Sequence, residues 1–149
     1  MSPDARDPWD RGETLHASCV VFDRKGVLIL GPSGSGKSGL ALRLMALGAQ
    51  LVADDRTIVA RQGDAILATA PDTIRGLIEA RGVGLLKAHH VSSIRLALVV
   101  DLSRTETDRL PRAHRHTVQG VELPCLHNVE ATHFTAAIVQ YLRAGRSEP

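Results

Sequence analysis

LILGPSGSGKSGL, residues 28–40, joins an apolar run to a glycine-rich loop, then to a lysine, a serine and a leucine-bearing segment. Gly31-Pro32-Ser33-Gly34-Ser35-Gly36-Lys37-Ser38 satisfies the pattern G-x-x-x-x-G-K-[ST] at every position. Glycines let backbone N–H groups converge on phosphate oxygens without side-chain interference. A helix opening after the loop adds partial positive charge from its N-terminus. Lys37 is expected to reach the β- and γ-phosphates of a nucleotide, and Ser38 to ligate Mg²⁺. A chance glycine-rich turn is disfavoured by the expected strand before the loop and the expected helix after it.

The flanks support that context. Leu15 to Phe22 reads as a strand, Asp23 to Gly26 as a turn, and Val27 to Leu30 as a second strand, which makes a hairpin entering the loop. Ser38 to Leu47 carries leucines at 40, 42, 44 and 47 on helix-forming residues, and Gly48 supplies a stop. Gln50 to Ala53 is a short strand ending in Asp54-Asp55. Thr57–Ala60 and Ala65–Ala70 flank a Gln62-Gly63-Asp64 turn, and Leu77 to Leu86 is extended but broken by Gly82 and Gly84. IRLALVVDL, residues 94–102, is the strongest strand pattern and is expected to be central. Residues 103–116, crowded with Arg and His, are expected to be a loop. Thr117 to Leu126 reads as one or two short strands, and a helix from about Glu130 to Ala144 is capped by Asn128 and stopped by Gly145. Two helices among many strands make a mixed α/β fold, a P-loop-containing mixed sheet rather than a purely parallel one.

Composition narrows the partners. The chain has 149 residues, enough for one domain with a substantial core. A net charge of +2 argues for neither nucleic acid nor a membrane surface, and 3% aromatic residues leave no stacking platform for single strands. No apolar run is long enough to span a bilayer and the first residues lack a signal-peptide core, so a cytoplasmic protein is expected. Cys19 and Cys125 lack metal-type spacing and read as buried free thiols. Residues 1–13 and 146–149 read as polar tails around a domain at 14–145.

A phosphate loop does not say what is phosphorylated. A second acidic site must orient the cation or take a proton. Asp101 at the end of LALVVD, Asp54-Asp55 at the end of LVADD, and Glu79 in LIEARGVGLL are the candidates. The adjacent pair is favoured, because two neighbouring carboxylates at a buried strand end repel unless a cation or proton relieves them.

HASCVVFDRKGVLILGPSGSGKSGLALRLMALGAQLVADDR, with Ile78-Glu79-Ala80-Arg81-Gly82-Val83-Gly84 and Asp108-Arg109-Leu110, resembles the catalytic core of the bacterial HPr kinase/phosphorylase family over roughly residues 14–142. The resemblance implies a phosphoenolpyruvate-carboxykinase-like P-loop fold, a hexameric assembly, and ATP- and Mg²⁺-dependent phosphorylation of a serine on the phosphocarrier protein HPr. It implies that Asp55 is the general base, and the general acid in reverse. Asp54 and His16 would support the phosphate and that carboxylate. Lys37 would hold the nucleotide phosphates, Ser38 and Glu79 would ligate Mg²⁺, and Arg109 would stabilise the moving phosphoryl group. Several positions depart from the family pattern. Gly39 stands where the family usually has Glu, and Ala17 where it has Gly. The family's late Gly-Arg, tied to dephosphorylation, is missing from Pro124-Cys125-Leu126-His127-Asn128, and His127 is expected in that neighbourhood. A catalytic-domain-only member, mainly a kinase with weak phosphorolysis, is therefore expected. A small-metabolite P-loop kinase and a nucleotide-sensing module that transfers nothing are the alternatives.

Overall fold

Turn chemistry sets the first hairpin. The computed structural model describes residues 7–148. In it β1 (Glu13–Leu15), β2 (Ala17–Phe22) and β3 (Lys25–Leu30) open the chain. Asp23 and Arg24 join β2 to β3 at φ 51° and 64°. Two successive left-handed residues give a turn whose twist matches the flanking strands. Then follow α1 (Lys37–Ala46), β4 (Gln50–Ala53), β5 (Thr57–Gln62), β6 (Ala65–Thr69), β7 (Leu77–Ala80) and β8 (Gly84–Lys87). The chain ends with β9 (Ser93–Thr105), β10 (His114–Val118), β11 (Val121–Asn128) and α2 (Phe134–Ala144).

β9 is the structural axis. Its first residues pair antiparallel with β6, while Leu96 to Asp101 run parallel to β3 and Val99 onward run parallel to β11. One layer is therefore β1-β5-β6, and the other is β10-β11-β9-β3-β2-β4. The central strands of the second layer are buried on both faces. Val20, Val27, Ile29, Leu98 and Val100 pack with Leu40 and Leu44 of α1 and with Ile138 and Leu142 of α2. The alternate residues Cys19, Val21, Leu28 and Val99 pack against Val59, Ile66 and Ala68 of the other layer. Period-2 alternation between two apolar surroundings explains why β2 and β3 read as continuous apolar runs.

Four readings of the sequence change. Leu15 to Phe22 is not one strand: it breaks at His16, because β1 pairs with β5 while β2 pairs with β3 and β4. Residues 103–116 are not all loop, since pairing with β11 carries β9 to Thr105 and β10 begins at His114. The last helix starts at Phe134 after His133, and Asn128 does not cap it. Asn128 is instead held in β11, where its carbonyl accepts the Glu106 N–H at 2.8 Å. Finally, Pro8–Arg11 forms a 3-10 turn and Glu13 lies in β1, both inside the segment read as a polar tail. The turn is held by its N-cap, where Asp7 accepts the Trp9 N–H at 2.9 Å. The rest of that tail, residues 1–6, lies outside the described residues.

Candidate active site

β2, β3 and β4 bring their relevant ends to one place. β4 and β3 each run antiparallel to β2, so the last residues of both lie beside the first residues of β2. Residues 31–36 leave β3 there, and α1 starts at Lys37. Its N-cap, Gly36, sits at φ 97° and offers no side chain to the first turn of N–H groups. At Gly31 a Cβ would stand 3.0 Å from Ser35 Cβ, so the loop closes only with glycine. Ser35 Oγ is buried and has no hydrogen-bond partner among the described residues. A buried hydroxyl without a partner, in a glycine-rich loop just before a helix N-terminus, suits a bound phosphate.

Lys37 is 5% exposed. Its Nζ donates to the carbonyls of Gly31 at 2.8 Å and Pro32 at 3.2 Å, and lies 3.7 Å from Asp55 Oδ1. A buried ammonium needs such partners to stay charged.

The aspartate pair divides into two environments. Asp54 is buried at 8% exposure. Its Oδ1 accepts Ser38 Oγ at 2.6 Å and Ser18 Oγ at 3.1 Å, and its Oδ2 accepts the Glu79 N–H at 2.9 Å. Asp55 turns the other way. Its φ is 63°, a region that costs a non-glycine residue on the order of 1–3 kcal/mol and that Asp tolerates better than most. The Asp55 N–H donates to Ser18 Oγ at 3.0 Å, which fixes the turn. Its carboxylate is left open to solvent, with His16 Nε2 2.7 Å from Oδ1. An ionised carboxylate only accepts, so His16 is the donor in that bond.

Lys37, Ser38, Asp54 and Asp55 line a cleft of about 640 Å³ together with Ser33, Gly34, Glu79 and Arg81. Ser38, Asp54 and Glu79 offer the oxygen donors that Mg²⁺ prefers. Asp101, the rival acid, is occupied elsewhere: it accepts the N–H of Ser103 at 2.9 Å and its Oγ at 2.5 Å. Of the residues expected to act, His16, Lys37, Ser38, Asp54 and Asp55 form one connected set, with Glu79 tied in through its N–H. Arg109 is apart: it is exposed between β9 and β10 and is not among the cleft-lining residues. His127 also differs from expectation, stacking on His114 with ring centroids 3.9 Å apart rather than lining the cleft. Ser18 was missed by sequence reasoning. A serine amid Ala, Cys and Val in a fully buried strand is the signal that could have marked it.

Comparison with known proteins gives the family and the fold. The model of the HPr Serine kinase C-terminal domain matches residues 10–142. The HPr kinase/phosphorylase of Limosilactobacillus reuteri is 36% identical over 125 residues, covering 75% of this chain and 39% of the relative. That of Caldanaerobacter subterraneus is 42% identical over 93 residues, covering 60% of this chain and 30% of the relative. The chain thus spans about two fifths or less of the length of these relatives. The HPr(Ser) kinase/phosphatase structure from Coxiella burnetii superposes with a TM-score of 0.74 at 23% identity, covering 88% of this chain and 94% of that one. At that identity the likeness establishes the fold.

Proposed function

The chain belongs to the HPr serine kinase C-terminal domain family, and from that premise we propose that it transfers the γ-phosphoryl group of ATP to a serine of an HPr-type phosphocarrier protein. The observation that carries the reading is Asp55, held open to solvent beside the phosphate loop by His16 and Lys37. A substrate serine entering the cleft donates its proton to Asp55 as its oxygen attacks phosphorus. The ADP oxygen leaves, and in the reverse direction Asp55 returns the proton. His16 holds the Asp55 carboxylate in place. Lys37 and the loop N–H groups offset charge on the phosphates. Ser38 and Glu79, with Asp54 behind Ser38, would hold Mg²⁺, which when bound would supply electrostatic stabilisation of the transferring group. The family resemblance gives Arg109 the role of a further cation, which would require its segment to approach the cleft. Phosphorolysis of phosphoserine-HPr is a weaker activity in this reading, because the family's late Gly-Arg is absent from residues 124–128. The reading includes a domain at residues 14–145, a cytoplasmic setting and a homo-oligomer, a hexamer by family resemblance. Among the described residues no helix is long and apolar enough to cross a membrane.

Labelled ATP, Mg²⁺ and purified HPr test the proposal. Label on HPr serine that disappears with Asp55→Asn supports it. Label on a small molecule, or nucleotide binding without transfer, overturns it.

A further inference from the structure

Glu106, His114 and His127, none of which lines the cleft, meet with one ligand atom from each lying within 4.8 Å of the others. Sheet register causes the meeting. His114 pairs with Cys125 across β10 and β11, so His127, two residues on, points to the same face. Glu106 is drawn alongside because its N–H donates to the Asn128 carbonyl at 2.8 Å. The two rings lie 11° from parallel, and His114 Nε2 is 2.8 Å from Glu106 Oε1.

The carboxylate is aimed before any ligand arrives. Its Oε2 accepts the N–H groups of Thr107 at 3.0 Å and Asp108 at 3.1 Å, leaving Oε1 for the imidazoles. The Glu106 side chain is 11% exposed and that of His114 26%, so neither is a freely solvated surface group. Backbone bonds that orient a ligating carboxylate are characteristic of the outer shell of metal sites. Two imidazoles and a carboxylate suit zinc and its neighbours in the first transition row, whereas Mg²⁺ favours all-oxygen sets. Metal bonds of roughly 2.0–2.2 Å place donors somewhat farther apart than the His114–Glu106 pair now stands. Seating an ion therefore opens that pair slightly. It also turns one ring about χ2, because parallel rings do not aim their lone pairs at one point.

We propose that Glu106, His114 and His127 bind a zinc-class divalent transition metal, and that the ion locks the neck of residues 107–113. Glu106 and His114 flank that excursion, which carries Arg109 and the 80% exposed Leu110. The site uses none of the cleft residues and does not depend on the proposed kinase activity.

The test is calorimetric titration of Zn²⁺ into the purified chain in excess Mg²⁺, with Co²⁺ absorption as a second readout. Buried Cys19 and Cys125 do not compete. One equivalent is expected to bind. His127→Ala and Glu106→Gln should each weaken binding by more than the ~10–100-fold typical of an outer-shell loss, while His89→Ala changes nothing. Zn²⁺ should slow tryptic cleavage after Arg109 and Arg112 several-fold in the parent chain and leave the rate unchanged in His127→Ala. Circular dichroism confirms that each variant is folded, and Glu106→Gln serves alone if His127→Ala is not. Absence of stoichiometric binding, or binding that survives the substitutions, overturns the site.

Discussion

Asp54 and Asp55 are neighbours with opposite tasks. Asp54 binds two hydroxyls and a backbone N–H, while Asp55 keeps its carboxylate at the cleft. Asp55→Asn preserves shape and tolerance of φ above zero but cannot accept a proton. Transfer should fall by ~10²–10⁴-fold with little change in the unfolding midpoint. An equal loss in Asp101→Asn with Asp55→Asn active would return the role to Asp101. Asp54→Ala leaves the Glu79 N–H and two hydroxyls without their acceptor. It should cost about 1–3 kcal/mol in urea unfolding, well above Asp55→Asn. Lys37→Ala removes the ammonium but not the N–H cradle. Transfer should collapse while some binding of a fluorescent ATP analogue survives, and near-normal transfer would refute the assignment.

At the scale of elements, what was legible in the sequence was whatever local chemistry dictates. The strand–loop–helix context of residues 28–40 and the glycine stops at Gly48 and Gly145 depend on a few adjacent residues and stand as read, while the β2–β3 turn narrows to Asp23 and Arg24 because Lys25 and Gly26 pair in β3. What long-range pairing dictates was not legible. Exposed Ser103, Arg104 and Thr105 extend β9 only because β11 lies beside them. His16 breaks a strand only because its two sides join different layers. The same divide held for the site. The Asp pair and the loop were visible as motifs, whereas the bridging role of Ser18 needed the β2–β4 pairing to be seen. Helix α1 shows how packing rather than pattern supports the loop. Leu44 is 1% exposed in the core, and Leu47 is 46% exposed about one turn on. Leu44→Ala should therefore cost ~2–5 kcal/mol by cavity formation. Leu47→Ala should stay within about 0.5 kcal/mol. Chemical unfolding of both variants checks the contrast, and equal losses would mean that α1 is not seated as described.

Across the whole molecule, the core between the two strand layers holds both thiols, Cys19 at 0% and Cys125 at 5% exposure. Cys19, fully enclosed, cannot meet a reagent unless the layers part, so its labelling reports opening of the entire fold, whereas Cys125 also borders a pocket with His114 and Tyr141. In native buffer Cys19 should label at a small fraction of the rate seen in concentrated urea, and its rapid native labelling in Cys125→Ser would contradict the two-layer arrangement. Burial also pushes the Cys19 thiol far up from its ordinary value of 9.0. In the unfolded chain Cys19 loses its proton near that ordinary value, while in the folded chain it keeps it. Above that pH the folded state binds more protons, so stability falls as pH rises; below it the contribution is fully present. One such group removes ~1.4 kcal/mol of stability per pH unit. Urea unfolding of the parent and of Cys19→Ala should be compared in steps from about pH 8 to 10.5. The two should run parallel on the acid side, whatever constant offset the lost sulfur imposes. On the alkaline side the parent should fall more steeply than Cys19→Ala by about that slope. Parallel curves throughout would mean that Cys19 ionises in the folded state and that water reaches the space between the layers.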